Sequence, residues 1–294
     1  MLRKGIIYMI IAAFCFSLSG AITRLLGNKI SSVELVLFRN VIGVAFIFTS
    51  IWQKPLQQVG GKLFLLVFRG IIGTLALYLF FYGITKIGLP EAITYQQSYP
   101  IILALFSYFF LGEILKKNEI WAIVVGFSGI CLIFLPQMGD SLFSAKNHFI
   151  GIVNMIFTAL AYLSIRGLSK YYDGRAIVMS FMLSGLILPL CSLTIGHFYP
   201  NPALDFILGS FVMPAGKQWF WILLLGISAM IGQIFLTKAF TYGKAGPISV
   251  AGYSNIIFSI LFGILLGDPL PSTTSLLGIC FVISSGFLIA KKEK

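Results

Sequence analysis

Apolar runs about as long as a bilayer is thick recur along this 294-residue chain, and they constrain it more than any other feature. Ten such runs are predicted, over residues 6–26, 33–51, 63–84, 90–111, 119–136, 149–169, 177–198, 219–240, 247–267 and 273–290. Roughly 20 apolar residues span the hydrocarbon core as a helix. In lipid each run must be helical, because every backbone polar group needs a partner within its own segment. The segment at 177–198 holds Pro189 and ends at His197, so it carries the weakest signal of the ten. A soluble chain of this length would form about two domains and carry about 25% charged residues. This chain has 10% charged and 58% hydrophobic residues, with a mean hydropathy of +0.97.

A net charge of +12 raises nucleic acid as a partner. The distribution argues against it. With the N-terminus inside, thirteen basic residues fall on the cytoplasmic side: Arg3, Lys4, Lys54, Lys62, Lys116, Lys117, Arg166, Lys170, Arg175, Lys244, Lys291, Lys292 and Lys294. Four fall outside, namely Lys29, Lys86, Lys146 and Lys217. This positive-inside bias predicts a multi-pass protein of the cytoplasmic (inner) membrane with both termini in the cytoplasm. The partners expected are a small-molecule substrate and membrane lipids, with no nucleic acid. The first run is too long for a signal-peptide core and no small-residue cleavage site follows it, so it is predicted to be retained. Cys15, Cys131, Cys191 and Cys280 all lie inside apolar runs without CxxC spacing. They read as small buried hydrophobes, and no metal or other cofactor is expected.

The chain repeats. Phe110-Leu111-Gly112-Glu113 closes the fourth run, and Leu265-Leu266-Gly267-Asp268 closes the ninth. A proline turn precedes each, Gly88-Leu89-Pro90-Glu91 and Ala245-Gly246-Pro247-Ile248. Their shared order predicts a duplication of five segments, with a first repeat over 1–137 and a second over 138–294. Five is odd, so the second repeat enters the membrane from the opposite side. The expected fold is an all-α integral membrane protein, ten transmembrane helices in two inverted five-helix repeats around a central cavity. Secondary transporters are commonly built this way, with the substrate site near the midplane between repeats.

Three further stretches carry a family resemblance: Ala12-Ala13-Phe14-Cys15-Phe16-Ser17, Phe38-Arg39-Asn40, and Pro100 followed by Leu111-Gly112-Glu113. Together they resemble the ten-helix EamA-type permeases of the drug/metabolite transporter superfamily. The likeness covers essentially the whole chain. Phe16 stands where that family often has tryptophan, and Gly267-Asp268-Pro269 stands where its second repeat has Gly-Glu. The resemblance implies a cavity formed mainly by segments one, three, four, six, eight and nine. It also implies transport of small organic metabolites, often amino acids and their relatives.

Polar residues inside the apolar runs are the candidate site. An arginine within the bilayer costs several kcal/mol unless paired, hydrated or snorkelling. Arg39 admits two readings of equal weight, a structural partner of a carbonyl or Glu34, and an anchor for a substrate carboxylate or phosphate. Arg69 and Lys238 lie near the cytoplasmic ends of their runs and are expected to snorkel to headgroups. Glu91 opens the fourth run, where a carboxylate suits the positive helix end. Proton coupling or cation recognition is its alternative role. The fourth run then reads Thr94-Tyr95-Gln96-Gln97-Ser98-Tyr99-Pro100. A helical period puts Glu91, Tyr95, Ser98 and Tyr99 on one face and Gln96 on a second edge with Pro100. The ninth run carries Tyr253-Ser254-Asn255 at matching depth. The expected substrate-binding set is Ser17, Arg39, Tyr78, Tyr82, Tyr95, Gln96, Tyr99, Asn154, Tyr162, Gln233, Tyr253 and Asn255. Gly263 and Gly267 form a GxxxG pattern, read as tight packing within the bundle.

The function expected is alternating-access transport of an amino-acid-like or related amphipathic metabolite, with export the favoured direction. Uptake or exchange of a nucleotide-like or vitamin-like compound is the alternative. Protons are a candidate coupling ion, and a monomer or weak homodimer is expected. There is no Walker A sequence to bind ATP. Two boundary histidines and nine scattered acids supply no catalytic cluster, so no enzymatic activity is expected. No charge ring or carbonyl filter marks a channel.

Overall fold

The computed structural model describes residues 2–27, 29–57, 59–86, 89–134, 145–201, 204–267 and 272–290, with the side chains of residues 85, 86, 89–91, 94, 133, 134, 145, 147, 148, 275, 286, 287, 289 and 290 outside that description. Every regular element among the described residues is an α-helix, and there are twelve: α1 (Leu2–Leu26), α2 (Ser32–Gln53), α3 (Leu63–Lys86), α4 (Leu89–Gln97), α5 (Tyr99–Leu111), α6 (Lys117–Phe134), α7 (Ala145–Leu168), α8 (Gly174–Phe198), α9 (Gln218–Tyr242), α10 (Ala245–Ala251), α11 (Ser254–Leu265) and α12 (Thr273–Ala290). Among the described residues, seven stretches are long and apolar enough to cross a membrane: Leu2–Leu26, Ser32–Gln53, Leu63–Ile84, Phe149–Leu168, Gly174–Phe198, Gln218–Tyr242 and Ala245–Leu265. The run with Pro189 forms one continuous helix, α8. Outward faces carry Phe14, Phe46, Phe48, Leu190 and Leu261, all exposed, as a lipid-facing surface requires.

Two apolar runs are each broken in the middle. The fourth breaks at Ser98, where Pro100 has no N–H to donate to the Gln96 carbonyl. The chain tightens there, with Ser98 N donating to Tyr95 O at 3.2 Å and Ile101 N to Ser98 O at 3.2 Å. The ninth breaks at Gly252 and Tyr253 through the same kind of tight turn, with Tyr253 N donating to Val250 O at 3.0 Å and Asn255 N to Gly252 O at 3.0 Å. These three-residue bonds mark a short 3₁₀ turn, which redirects the side chains that follow.

The helix ends are built by identifiable caps. Ser31 and Glu34 form a capping box at the start of α2, each side chain meeting the other's backbone N–H. Glu34 is fully buried and also accepts from Val212 N at 2.9 Å, which ties α2 to the loop before α9. Gly112 ends α5 at φ 64°, the left-handed conformation glycine adopts without strain. Glu113 follows it, accepting from Arg166 Nε of α7 at 3.0 Å and from Ala245 N at the start of α10 at 3.0 Å. Asp173 caps α8 and pairs with Arg175 at 2.8 Å.

Neighbours follow a reciprocal pattern. α1 lies along α9 as α7 lies along α3, and α2 packs on α9 as α8 packs on α3. α11 packs on α1 as α5 packs on α7, and α10 packs on α1 as α4 packs on α7, while α6 meets α12 and α2 meets α8.

Two expectations about small residues change. Cys191 and Cys280 sit on exposed faces, and Cys15 and Cys131 are half-buried, so the thiols are free but not all core residues. Gly263 lines the central cavity, and Gly267 has φ 94° with open space around it. The GxxxG pattern therefore marks a cavity wall and a helix end, not a packing seam.

Candidate functional site

The helices enclose a cavity of about 1300 Å³, counted with its open mouth. Its wall reaches from Met9, Tyr99 and Leu236 to Ala21, Ile84, Ile93 and Leu266, near the C-terminal ends of α1, α3 and α11 and the start of α4. Arg24 and Leu266, lining residues at that end, are exposed, so the cavity opens there. The other end is closed by a core of Met9, Leu103, Leu168, Ile177, Leu236, Phe240 and Ile248, capped by the Glu113–Arg166 pair.

Three arginines line the wall, Arg24 exposed toward its open end and Arg39 and Arg69 buried deeper. Arg39 is 5% exposed and Arg69 is 1% exposed. Both lie over the ring of Phe181 in α8, their guanidinium carbons 5.9 and 4.7 Å from its centroid. A desolvated guanidinium over an aromatic face gains about 2 kcal/mol, well short of the cost of its burial. Among the described residues neither has a carboxylate within ion-pairing distance. Arg39 does not pair with Glu34, whose oxygens are taken by Ser31 and Val212. Arg69 does not snorkel. Gly73, one turn on, leaves bare backbone where its Nη1 lies, so the side chain turns into the bundle.

Six other residues of the expected set share this wall: Ser17, Gln96, Tyr99, Tyr162, Gln233 and Asn255. Ser17 of α1 donates to the backbone oxygen of Asn255 at 2.8 Å, fastening α1 to α11, and within α11 Ser259 donates to Asn255 Oδ1 at 3.0 Å. Tyr99 stacks edge-on against Tyr162 at 4.9 Å and donates its hydroxyl proton to Ser249 O at 3.3 Å. This last bond joins the two broken segments.

The remaining members lie in the packing around the cavity. Tyr78 donates to Ser192 Oγ at 3.2 Å. Tyr82 packs edge-on against Phe206 at 6.0 Å, beneath the Lys146 ammonium. Tyr95 lies against Gly151, and Asn154 donates to Ala76 O at 2.7 Å. Tyr253 is buried against Gly126 and Ser285. The Glu91 side chain lies outside the described residues. Ser19, a candidate from the first run beside Ser17, also lines the wall, and Arg69, Gln97, Ser259 and Phe181 join it without having been in the expected set. Ser19 shares a 2.9 Å hydrogen bond with Ser228 of α9. Among the described residues, no group of three or more histidine, cysteine, aspartate or glutamate side chains could hold a metal.

A membrane-embedded helical bundle around a polar, arginine-bearing cavity is the architecture of a small-molecule transporter. The comparisons with known proteins narrow this. Residues 3–135 match the EamA-like transporter family. An uncharacterized transporter of Helicobacter pylori is 33% identical over 97% of this chain and 94% of its own length. The pseudopaline exporter CntI of Pseudomonas aeruginosa is 26% identical over 100% of this chain and 98% of its own. An S-adenosylmethionine uptake transporter of Rickettsia conorii is 24% identical over 99% of this chain and 93% of its own. The chain belongs to the EamA-like transporter family, within the drug/metabolite transporter superfamily.

Proposed function

We propose that the protein is a secondary transporter of a small organic metabolite in the cytoplasmic membrane, working by alternating access about the central cavity. One observation carries this reading: two buried arginines and several hydrogen-bonding side chains, drawn from both halves of the chain, converge on one cavity. Polar groups at membrane depth are expensive and mark a substrate path. Arg39 and Gln96 come from the first half and Tyr162, Gln233 and Asn255 from the second.

In this reading residues 1–137 and 138–294 are inverted five-helix repeats, and the ten apolar runs are ten spans, two of them broken. The reciprocal neighbours support it, since exchanging the halves maps α1·α9 onto α7·α3 and α2·α9 onto α8·α3. Breaks in corresponding runs of both repeats are a pointer to the binding site in such folds. The positive-inside bias puts both termini in the cytoplasm. The cavity then faces outward, and the Glu113–Arg166 pair closes the cytoplasmic end. Export is the favoured direction, as in the Pseudomonas relative. Uptake by the same fold is the second reading, supported by the Rickettsia relative. No enzymatic step is proposed.

Counterflow of a metabolite panel into proteoliposomes, with and without a pH gradient, tests the proposal. Accelerated exchange of at least one small metabolite, lost in the Tyr99→Ala protein, is expected. Exchange of every compound at the rate of protein-free vesicles would overturn it.

A further inference from the structure

The unsatisfied groups on the cavity wall are all of one kind. Four side-chain atoms of lining residues are buried without a hydrogen-bond partner among the described residues: Arg39 Nε, Arg69 Nε, Arg69 Nη1 and Gln233 Nε2. All four are N–H donors, and three belong to guanidiniums, which cannot accept. A buried donor without an acceptor is strongly unfavourable, and a buried charge more so. Since both guanidinium carbons lie close to the Phe181 centroid, they are within about 11 Å of one another. The described carboxylates are engaged elsewhere: Glu34 by Ser31 and Val212, Glu113 by Arg166 and Ala245, Glu119 by Lys116 N, Asp173 by Arg175, and Asp205 by Lys146.

We infer that the substrate is a doubly charged oxyanion, a dicarboxylate or a phosphate monoester, carried on an apolar or aromatic body. Resting on the transporter reading above, this names its substrate class. Arginine's planar fork matches carboxylate and phosphate oxygens two at a time. Two forks and the Gln233 amide supply the acceptor-seeking wall. Phe16, Leu77, Phe80 and Phe81 supply an apolar wall beside it for the rest of the molecule. A neutral cargo would leave both cations uncompensated in the loaded state, and a cationic one would add to them.

Thermal unfolding of the purified full-length protein in detergent, at constant ionic strength, tests this directly. The probes are phenylsuccinate, its diamide, and phenyl phosphate. Phenylsuccinate or phenyl phosphate is expected to raise Tm with dose, and whichever acts names the carboxylate or phosphate form. The diamide is expected to have no effect. Arg39→Met and Arg69→Met are each expected to weaken the anion's apparent affinity by about tenfold or more. Their ligand-free Tm should stay level or rise, because an uncompensated buried charge has been removed. If a methionine variant does not fold, Arg69→Lys answers instead. It is expected to bind more weakly than the parent, having charge but no fork. Stabilisation by the diamide equal to that of the acid would overturn the inference. So would anion affinity unchanged in the arginine variants, or no anion effect beyond that of chloride. Counterflow separates this from the transport reading. Exchange of neutral compounds with no anion binding removes the anion site and leaves the transporter. Anion binding with no exchange of the bound compound leaves the anion site and removes the transporter.

Discussion

The Tyr99 hydroxyl stands in the space that a side chain on residue 252 would occupy, because residue 252 is Gly252. The two residues bring the break of the fourth run and the break of the ninth into contact. Their closeness lets Tyr99 reach the Ser249 carbonyl, which also accepts from Gly252 N at 3.0 Å. Gly252→Ala should therefore force apart the centre of the bundle. Overpacking of this kind costs about 1–3 kcal/mol. A lower Tm and at least tenfold slower counterflow are expected. Gly20→Ala is the control, since a Cβ there meets nothing within 4 Å. It should leave stability level or slightly higher.

Glu113 and Arg166 close the end of the bundle opposite the cavity mouth, and Glu113 also holds the first N–H of α10. Glu113→Gln keeps the shape and removes the charge. Hydrogen bonds to charged groups contribute about 1.5–3 kcal/mol, so the closed end should open more often. Hydrogen exchange of the amides of residues 245, 246 and 248–250 should speed up by roughly tenfold or more. Unchanged exchange there would mean that this pair does not hold the end shut.

Glu34 carries a structural load away from the cavity. Glu34→Ala would leave Ser31 N and Val212 N without their acceptor. A loss of about 1–3 kcal/mol of stability is expected, read as a lower Tm. The exchange rate per folded molecule should not change. A variant with parental Tm would show that the loop before α9 is not fastened through this residue.

Asp173 at the start of α8 gives a pH dependence with a defined sign. Burial alone would raise its pKa, but hydrogen bonds from Arg175 outweigh that and hold the carboxyl below its ordinary range. A carboxylate with a depressed folded-state pKa stabilises fully above its unfolded pKa, and the contribution is lost as pH falls through the folded value. Tm of the parent should therefore drop more steeply than that of Asp173→Asn in acid below the ordinary aspartate range. Parallel curves would show that the cap contributes no linked stability.

If the cargo is a dianion moving without a coupling ion, transport is electrogenic. Each charge crossing the membrane potential is worth about 2.3 kcal/mol per 100 mV. Efflux from vesicles should accelerate when a potassium diffusion potential makes the interior negative and slow when it is reversed. A rate indifferent to the potential would mean that an accompanying ion neutralises the cargo.

The long helices were legible in the chain because a bilayer allows an apolar run little else. Only the structure shows the fourth run, read as one helix over 90–111, broken at Ser98, although the missing N–H of Pro100 was legible. Which polar side chains meet the cavity was not. Helical spacing put Tyr95 with Tyr99 and set Gln96 apart, yet Gln96 and Tyr99 line the wall while Tyr95 packs on Gly151. The 3₁₀ turn between them shifts the helical phase, and no period counted through a straight helix survives it. Arg69 has the same lesson. Its place near a segment end suited snorkelling, whereas Gly73 and Phe181 turn it inward. Sequence by itself determined where the helices run, because that follows from local hydrogen bonding in lipid. Only the tertiary structure decided which face of each helix meets the cavity, because that rotation is set by packing against neighbours distant in the chain.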